Sequence, residues 1–249
     1  MAPQPHDELP ADRKGDARYD RWHSHRTSVR AELIEATIRA IDAHGPDLSI
    51  DDVVKTAGIT RPKLYRFFGD KVELLAAVSG RVQQLIVERV TPNLNPTGPA
   101  REAVRTALGA YIDLVAERPN LFRFIVSSHV VAAFGASRLL EDGRPLSDTV
   151  ATFFSGVLRM HGADGAHTQF AVDAMLGAVG LGVLRWLNDP AITAKELTEE
   201  LAAFAWGALS ATAESRGLTL DPDAPLVGAV LYADAGAKID TDTATATES

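Results

Sequence analysis

The chain contains no cysteine, which excludes a disulfide framework and a thiolate metal site. Long hydrophobic runs are also missing: the longest, Ala174 to Leu184, is too short and too glycine-rich to span a bilayer. The first twenty residues, MAPQPHDELPADRKGDARYD, hold no apolar h-region, so no secretory signal is expected there. From Ala100 onward there is no strand-like alternation bounded by hairpin turns. No Ser-His-Asp or paired-carboxylate pattern stands out for catalysis. The glycines Gly177, Gly180 and Gly182 read GAVGLG, without the spacing or the preceding strand of a nucleotide-binding loop. His161, Asp164 and His167 are spaced like metal ligands, yet they lie at a Gly-rich break with no fourth ligand nearby. These absences lead to the expectation of a soluble, cytoplasmic, non-enzymatic protein that holds neither metal nor cofactor.

The 249 residues suffice for one or two domains, and 46% hydrophobic with 23% charged residues is an ordinary globular balance. A net charge of −8 argues at first against nucleic acid. Its location changes that reading. Residues 1–81 carry 13 Lys/Arg and 13 Asp/Glu, while the remainder carries 12 and 20. Affinity for phosphates follows local rather than total charge, so an acidic body does not exclude a DNA-binding head.

The stretch from Leu48 to Val78, LSIDDVVKTAGITRPKLYRFFGDKVELLAAV, organises the rest of the chain. Ser49 is an N-cap candidate, with Asp52 completing an acidic capping box. Gly58 breaks this helix at a residue that tolerates positive φ. Thr60 can cap a second helix, and Pro62 falls in its first turn, where a missing N–H costs little. Leu64, Tyr65, Phe67 and Phe68 supply its apolar and aromatic positions, leaving Arg61, Lys63 and Arg66 on other faces. Two short helices around a glycine-containing turn form a helix-turn-helix pattern. From Ser28 to Ala43, Val29, Leu33, Ala36, Ala40 and Ile41 recur at helical spacing, which predicts a helix closing a three-helix core.

The order Ser49, Ala57-Gly58-Ile59-Thr60, Leu64-Tyr65-Arg66-Phe67-Phe68, Lys71, Glu73-Leu74-Leu75 resembles the DNA-binding domain of TetR/AcrR-family transcriptional repressors, over residues 26–78. Phe67 departs from the pattern, standing where many members have His, and removes one candidate phosphate contact. The resemblance implies an all-α homodimer, with an N-terminal three-helix helix-turn-helix domain and a C-terminal helical domain for ligand binding and dimerisation. It also implies a double-stranded DNA operator as partner, and no membrane. The DNA-binding candidates are Ser49, Thr60, Arg61, Lys63, Tyr65, Arg66 and Lys71. Arg61 suits the bidentate contact to guanine, and Lys63, Tyr65, Arg66 and Lys71 suit phosphates, which fix register rather than sequence.

The expected organisation is a disordered arm at 1–20 and a helix-turn-helix domain at 21–78, with a linker helix beginning near 70. A helical body at 79–233 and a disordered tail at 234–249 complete it. Breaks are expected at Pro92–Pro99, Arg118-Pro119, Glu141–Pro145, His161–Gly165, Asn188-Asp189-Pro190 and Gly217. The arm's Arg13, Lys14, Arg18 and Arg21 suit either a DNA-reaching arm or a solvated tail. By resemblance the body holds a mostly apolar pocket, with candidates Tyr111, Phe122, Ile125, His129, Phe154, Gln169, Phe170, Asp173 and Trp186. Ala174, Gly177, Ala178 and Leu181, with Leu197, Leu201, Phe204, Ala205, Ala208 and Leu209, suit a four-helix dimer interface, whose two-fold predicts a palindromic operator. The expected function is a repressor released from DNA by an apolar small molecule. Two alternatives stand beside it: a DNA-binding dimer with no effector, and a helical small-molecule-binding or enzymatic protein that no longer binds DNA.

Overall fold

The computed structural model of the chain describes the backbone of residues 13–93, 95, 97–125, 136–225 and 230–232, and the side chains of residues 25–93, 95, 97–125, 144 and 146–225. It divides into two compact units, Met1–Val78 and Ser79–Ser249. The division falls inside one helix.

The first unit holds α1 (Arg13–His44), α2 (Ile50–Ala57), α3 (Arg61–Phe67) and the start of α4 (Lys71–Val90). Its core is made of Leu33, Ala36, Ile38 and Ile41 from α1, Val53 from α2, Leu64 from α3, Phe68, and Leu74, Leu75 and Val78 from α4. Local chemistry sets each boundary. Ser49 Oγ accepts from Asp52 N at 3.2 Å, and the Asp52 carboxylate accepts from Ser49 N at 3.0 Å, which satisfies two orphan amides at once. Gly58 ends α2 at φ 64, in the left-handed region where a Cβ is penalised. Thr60 turns the chain into α3 with extended backbone but no side-chain cap bond.

α1 is longer than the periodicity predicts. Residues 13–20, expected to be without regular structure, are helical. From Arg13 to Ala31 the chain has no proline and only one glycine, and extending a nucleated helix costs far less than starting one. The tail at 234–249 lies outside the described residues.

The second unit continues α4 through a 3₁₀ turn at Thr91–Asn93 into α5 (Ala100–Glu117), α6 (Pro119–Ile125), α7 (Ala136–Met160), α8 (Thr168–Asn188) and α9 (Ala194–Glu214). α5 packs along α9, and α8 packs on both α7 and α9. Thr193 and Glu196 cap α9 reciprocally. α8 meets α9 closely at Gly182: a Cβ there would sit 3.0 Å from Leu201 Cδ2, which would have to shift to admit it. α8 is long and apolar enough, with a mean hydropathy of 1.5 over its most apolar window, to cross a membrane by composition alone. The run Ala174–Leu184 taken by itself does not show this. Val172, Met175, Val179, Val183 and Leu187 of α8 are buried within the unit.

Two features differ from the sequence reading. The break expected at Glu141–Pro145 lies inside α7, because helix formation is cooperative and tertiary packing overrides local breakers. A two-stranded antiparallel ribbon, β1 (Leu218–Leu220) with β2 (Val230–Tyr232), places Leu218 opposite Tyr232. Three residues are too few to display alternation, so only pairing defines these strands. After β1 the carbonyls of Pro222 and Ala224 accept from Arg101 N at 3.1 Å and Ala100 N at 2.9 Å, which satisfies orphan amides at the start of α5. The fold class is all-α, with this ribbon as its β element.

Candidate nucleic-acid interface and apolar cavity

α3 has a buried side and a solvent side. Leu64 and the following Phe68 are fully buried, while Thr60, Arg61, Lys63, Tyr65 and Arg66 are exposed, as are Ser49 and Lys71 beside them. The helix is thus held by its apolar residues and offers a row of cations and hydroxyls to solvent. Two of these groups are already engaged. Ser49 Oγ donates to Asp52 at 2.6 Å. Arg61 forms a fork with Asp51 of α2, Nε to Oδ1 at 2.8 Å and Nη2 to Oδ2 at 2.5 Å. That pairing holds the Asp51 carboxyl below its ordinary range. Arg66 lies 5.8 Å from the Phe67 ring centroid, so Phe67 supports a cation here.

The second unit holds a partly open cavity of about 530 Å³, within the range of small-molecule sites. Val104, Leu108 and Tyr111 of α5, Leu146, Val150, Phe153 and Phe154 of α7, Met175, Leu176 and Val179 of α8, and Trp206 and Leu209 of α9 form most of its wall. Ile86 and Val90 of α4, Gly180 of α8 and Leu220 of β1 also line it. Among the described residues no charged side chain lines it. A water inside would find few of the two to four partners it needs, so the space favours an apolar guest. Tyr111 lines the wall, as do Thr91 and Thr149. Burial pushes the Tyr111 hydroxyl pKa up to about 12, and among the described residues that hydroxyl has no hydrogen-bond partner.

Residues 33–78, which build this head, match the family model described as bacterial regulatory proteins, tetR family. The head is a TetR-family DNA-binding domain. The chain is accordingly a DNA-binding transcriptional regulator. It is 29% identical over 206 residues to the HTH-type transcriptional regulator Rv0472c of Mycobacterium tuberculosis, covering 82% of this chain and 87% of that protein. It is also 29% identical to the HTH-type transcriptional activator FasR of Mycolicibacterium smegmatis, over 72% of this chain and 81% of FasR. The structure of FadR from Bacillus subtilis in complex with stearoyl-CoA shares the fold, with a TM-score of 0.53 at 17% identity over 70% of this chain and 96% of that one.

Within the second unit the candidate ligand residues separate. Tyr111 and Phe154 line the cavity. Phe122 is buried edge-on against Tyr111, at 6.0 Å between ring centroids, behind the wall rather than on it. Ile125 is half-buried and outside the lining. Gln169 and Asp173 join a polar cluster between α7 and α8: Gln169 Nε2 donates to Ser147 Oγ at 2.6 Å and to Asp173 at 3.1 Å, and Ser147 Oγ donates to Asp173. Phe170 is 75% exposed and stacks on His167. Trp186 donates Nε1–H to Ile192 O at 2.7 Å and pins the turn before α9. His129 lies outside the described residues. Trp206 was missed. Its recurrence with Ala202, Ala205 and Leu209 along one side of α9 was the available signal.

A stripe of α8 runs along the solvent side: Phe170, Ala174, Gly177 and Leu181 are all exposed. On α9, Phe204, Gly207 and Ala211 are exposed as well. Leu197 and Ala205, expected at a dimer interface, are instead buried inside the protomer, and Leu209 faces the cavity.

Proposed function

We propose that this protein is a homodimeric repressor of a palindromic operator, and that an apolar small molecule in the cavity of the second unit lowers its DNA affinity. The observation that carries this reading is the cavity wall, which is large, apolar and uncharged among the described residues. Such a wall suits a hydrocarbon chain, with the Tyr111 hydroxyl available to the guest's polar end. α4 offers a route for coupling. Its Leu74, Leu75 and Val78 belong to the core of the head, and its Ile86 and Val90 belong to the cavity wall. A guest that displaces the wall acts on the helix that the head is built upon, and it shifts DNA affinity by its differential affinity for the two states. The exposed stripes of α8 and α9 support a two-fold four-helix contact between copies, which would set the two α3 helices on one face of the duplex. On the DNA side, Arg61 is assigned to a base edge and Lys63, Tyr65, Arg66 and Lys71 to phosphates.

Activation is the second reading, favoured by the relative FasR, which carries the name of an activator. One experiment separates the possibilities. Duplexes are selected on the purified full-length protein at two salt concentrations, and the recovered sequence is titrated with protein in the presence of stearic acid or stearoyl-CoA. Repression with release predicts one palindrome whose affinity falls as ligand is added. A rise in affinity favours activation. Bound ligand with unchanged operator affinity sinks the effector reading.

A further inference from the structure

We infer that Asp51 is a positioning residue for DNA readout, which holds the Arg61 guanidinium side-on so that its end-on edge faces a guanine. The inference rests on the assignment of Arg61 to a base. Arg61 opens α3 while Asp51 lies in the first turn of α2, so the pair bridges the two helices of the motif. Asp51 takes the Nε and Nη2 donors. Arginine has five N–H donors in a planar fork. With the Nε edge occupied, the edge formed by Nη1 and the second Nη2 hydrogen remains, and it matches the O6 and N7 acceptors of guanine. Among the described residues nothing accepts from Arg61 Nη1.

Stability does not explain the pair. Arg61 and Asp51 keep 56% and 68% of their side-chain surface exposed, and exposed ion pairs contribute little to folding. Orientation explains it better. A free arginine side chain samples many rotamers and reaches phosphates as readily as bases, whereas a two-point fork restricts both the plane and the direction of the guanidinium. A carboxylate placed next to DNA opposes binding by charge repulsion, so a retained Asp51 exchanges some affinity for selectivity.

The test uses the full-length protein and a panel of single-base variants of its selected operator, with wild type, Arg61→Ala, Asp51→Asn, Asp51→Ala and the double variant Asp51→Asn/Arg61→Ala. Asp51→Asn keeps the shape but cannot accept two charge-assisted bonds. Thermal melting confirms that each variant is folded. In the expected result, Arg61→Ala erases a guanine preference at one step of each half-site. Asp51→Asn and Asp51→Ala lower that preference by about tenfold, within the range of one bidentate pair. Their low-salt affinity for non-specific duplex does not fall, and the double variant matches Arg61→Ala alone. Unchanged guanine preference in both Asp51 variants overturns the proposal. So does a gain in operator affinity with the preference intact, which makes Asp51 a brake on Arg61. If Arg61→Ala alters no position, the base assignment of Arg61 fails and the proposal falls with it.

Discussion

The guanidinium of Arg30 in α1 meets the carboxylate of Glu73 in α4, Nη1 to Oε1 at 2.8 Å. The same guanidinium lies 4.3 Å over the Phe68 ring and donates to Phe67 O at 2.6 Å. Glu73 also accepts from Gly69 N at 2.7 Å. One arginine therefore closes the C-terminal end of α3 against the helices on either side. Arg30→Ala is expected to cost about 1–2 kcal/mol, the scale of a lost charge-assisted hydrogen bond and cation–π contact. Hydrogen exchange of the α3 amides reads this directly. If Arg30→Ala exchanges no faster than wild type, the clamp is decorative.

The Glu73 carboxyl is held below its ordinary value, first by the Gly69 N–H and then by Arg30. A lowered carboxylate pKa stabilises the fold above the unfolded-state value and loses that contribution as pH falls through the folded-state value. Asp51 and Asp52 are shifted the same way in the same unit. The head should thus weaken on acidification below the carboxylate range, and Glu73→Gln should flatten the acid limb of a stability-against-pH curve. An unaltered acid limb in Glu73→Gln removes Glu73 from that account.

Ser49 caps α2, and its proposed DNA contact can be separated from that cap. Ser49→Ala should lose about 1 kcal/mol of stability together with DNA affinity. Ser49→Asp restores an N-cap acceptor but brings a negative charge to the backbone of the duplex. Its stability should stay near wild type while its DNA affinity drops. Equal DNA binding by Ser49→Asp and wild type leaves only the capping role.

Gly180 lines the cavity, and a Cβ there meets nothing within 4 Å. Gly180→Leu should raise the melting temperature by filling apolar space and improving helix propensity. It should also block stearoyl-CoA, leaving DNA binding insensitive to ligand. Retained ligand response in a folded Gly180→Leu protein places the effector elsewhere.

Tyr111→Phe removes a hydroxyl that has no partner among the described residues, so stability should hold or rise slightly. Ligand affinity should fall by up to about tenfold if the hydroxyl meets the guest's polar end. Tyr111 should also ionise late in a spectrophotometric titration, at about 12. Because this pKa is raised, the fold keeps its full stability below the ordinary tyrosine value and loses it as pH climbs from there through about 12. A tyrosine signal near 10 that disappears in Tyr111→Phe contradicts the burial argument.

Leu181 is 69% exposed and Phe204 48% exposed, on the faces of α8 and α9 proposed to meet a second copy. Leu181→Arg should convert a dimer into monomers in sedimentation equilibrium and weaken operator binding while the monomer stays folded. A dimer that survives Leu181→Arg moves the interface away from this stripe.

The head could be read from sequence because its instructions are local. The Ser49–Asp52 cap, the glycine at 58 and the apolar spacing of Leu64 and Phe68 each act within one or two turns, so they are legible without knowing what lies across the core. The exposed cations of α3 follow from the same spacing. The body obeyed a different logic. Periodicity shows that a helix has an apolar side, but a side chain lines a cavity or fills a core according to what faces it from distant sequence. Trp186 and Trp206 are alike in isolation; only the packing of α9 against its neighbours turned Trp206 to the cavity and left Trp186 to hold a turn. Gln169 and Asp173 found Ser147, a partner more than twenty residues away, and so became an inter-helix brace. The sequence by itself determined most of the helices, the helix-turn-helix head and the exposed cations of α3. Tertiary structure alone decided the wall of the cavity, the fork between Asp51 and Arg61, and the pairing of β1 with β2, because each depends on groups that meet only when the chain has folded.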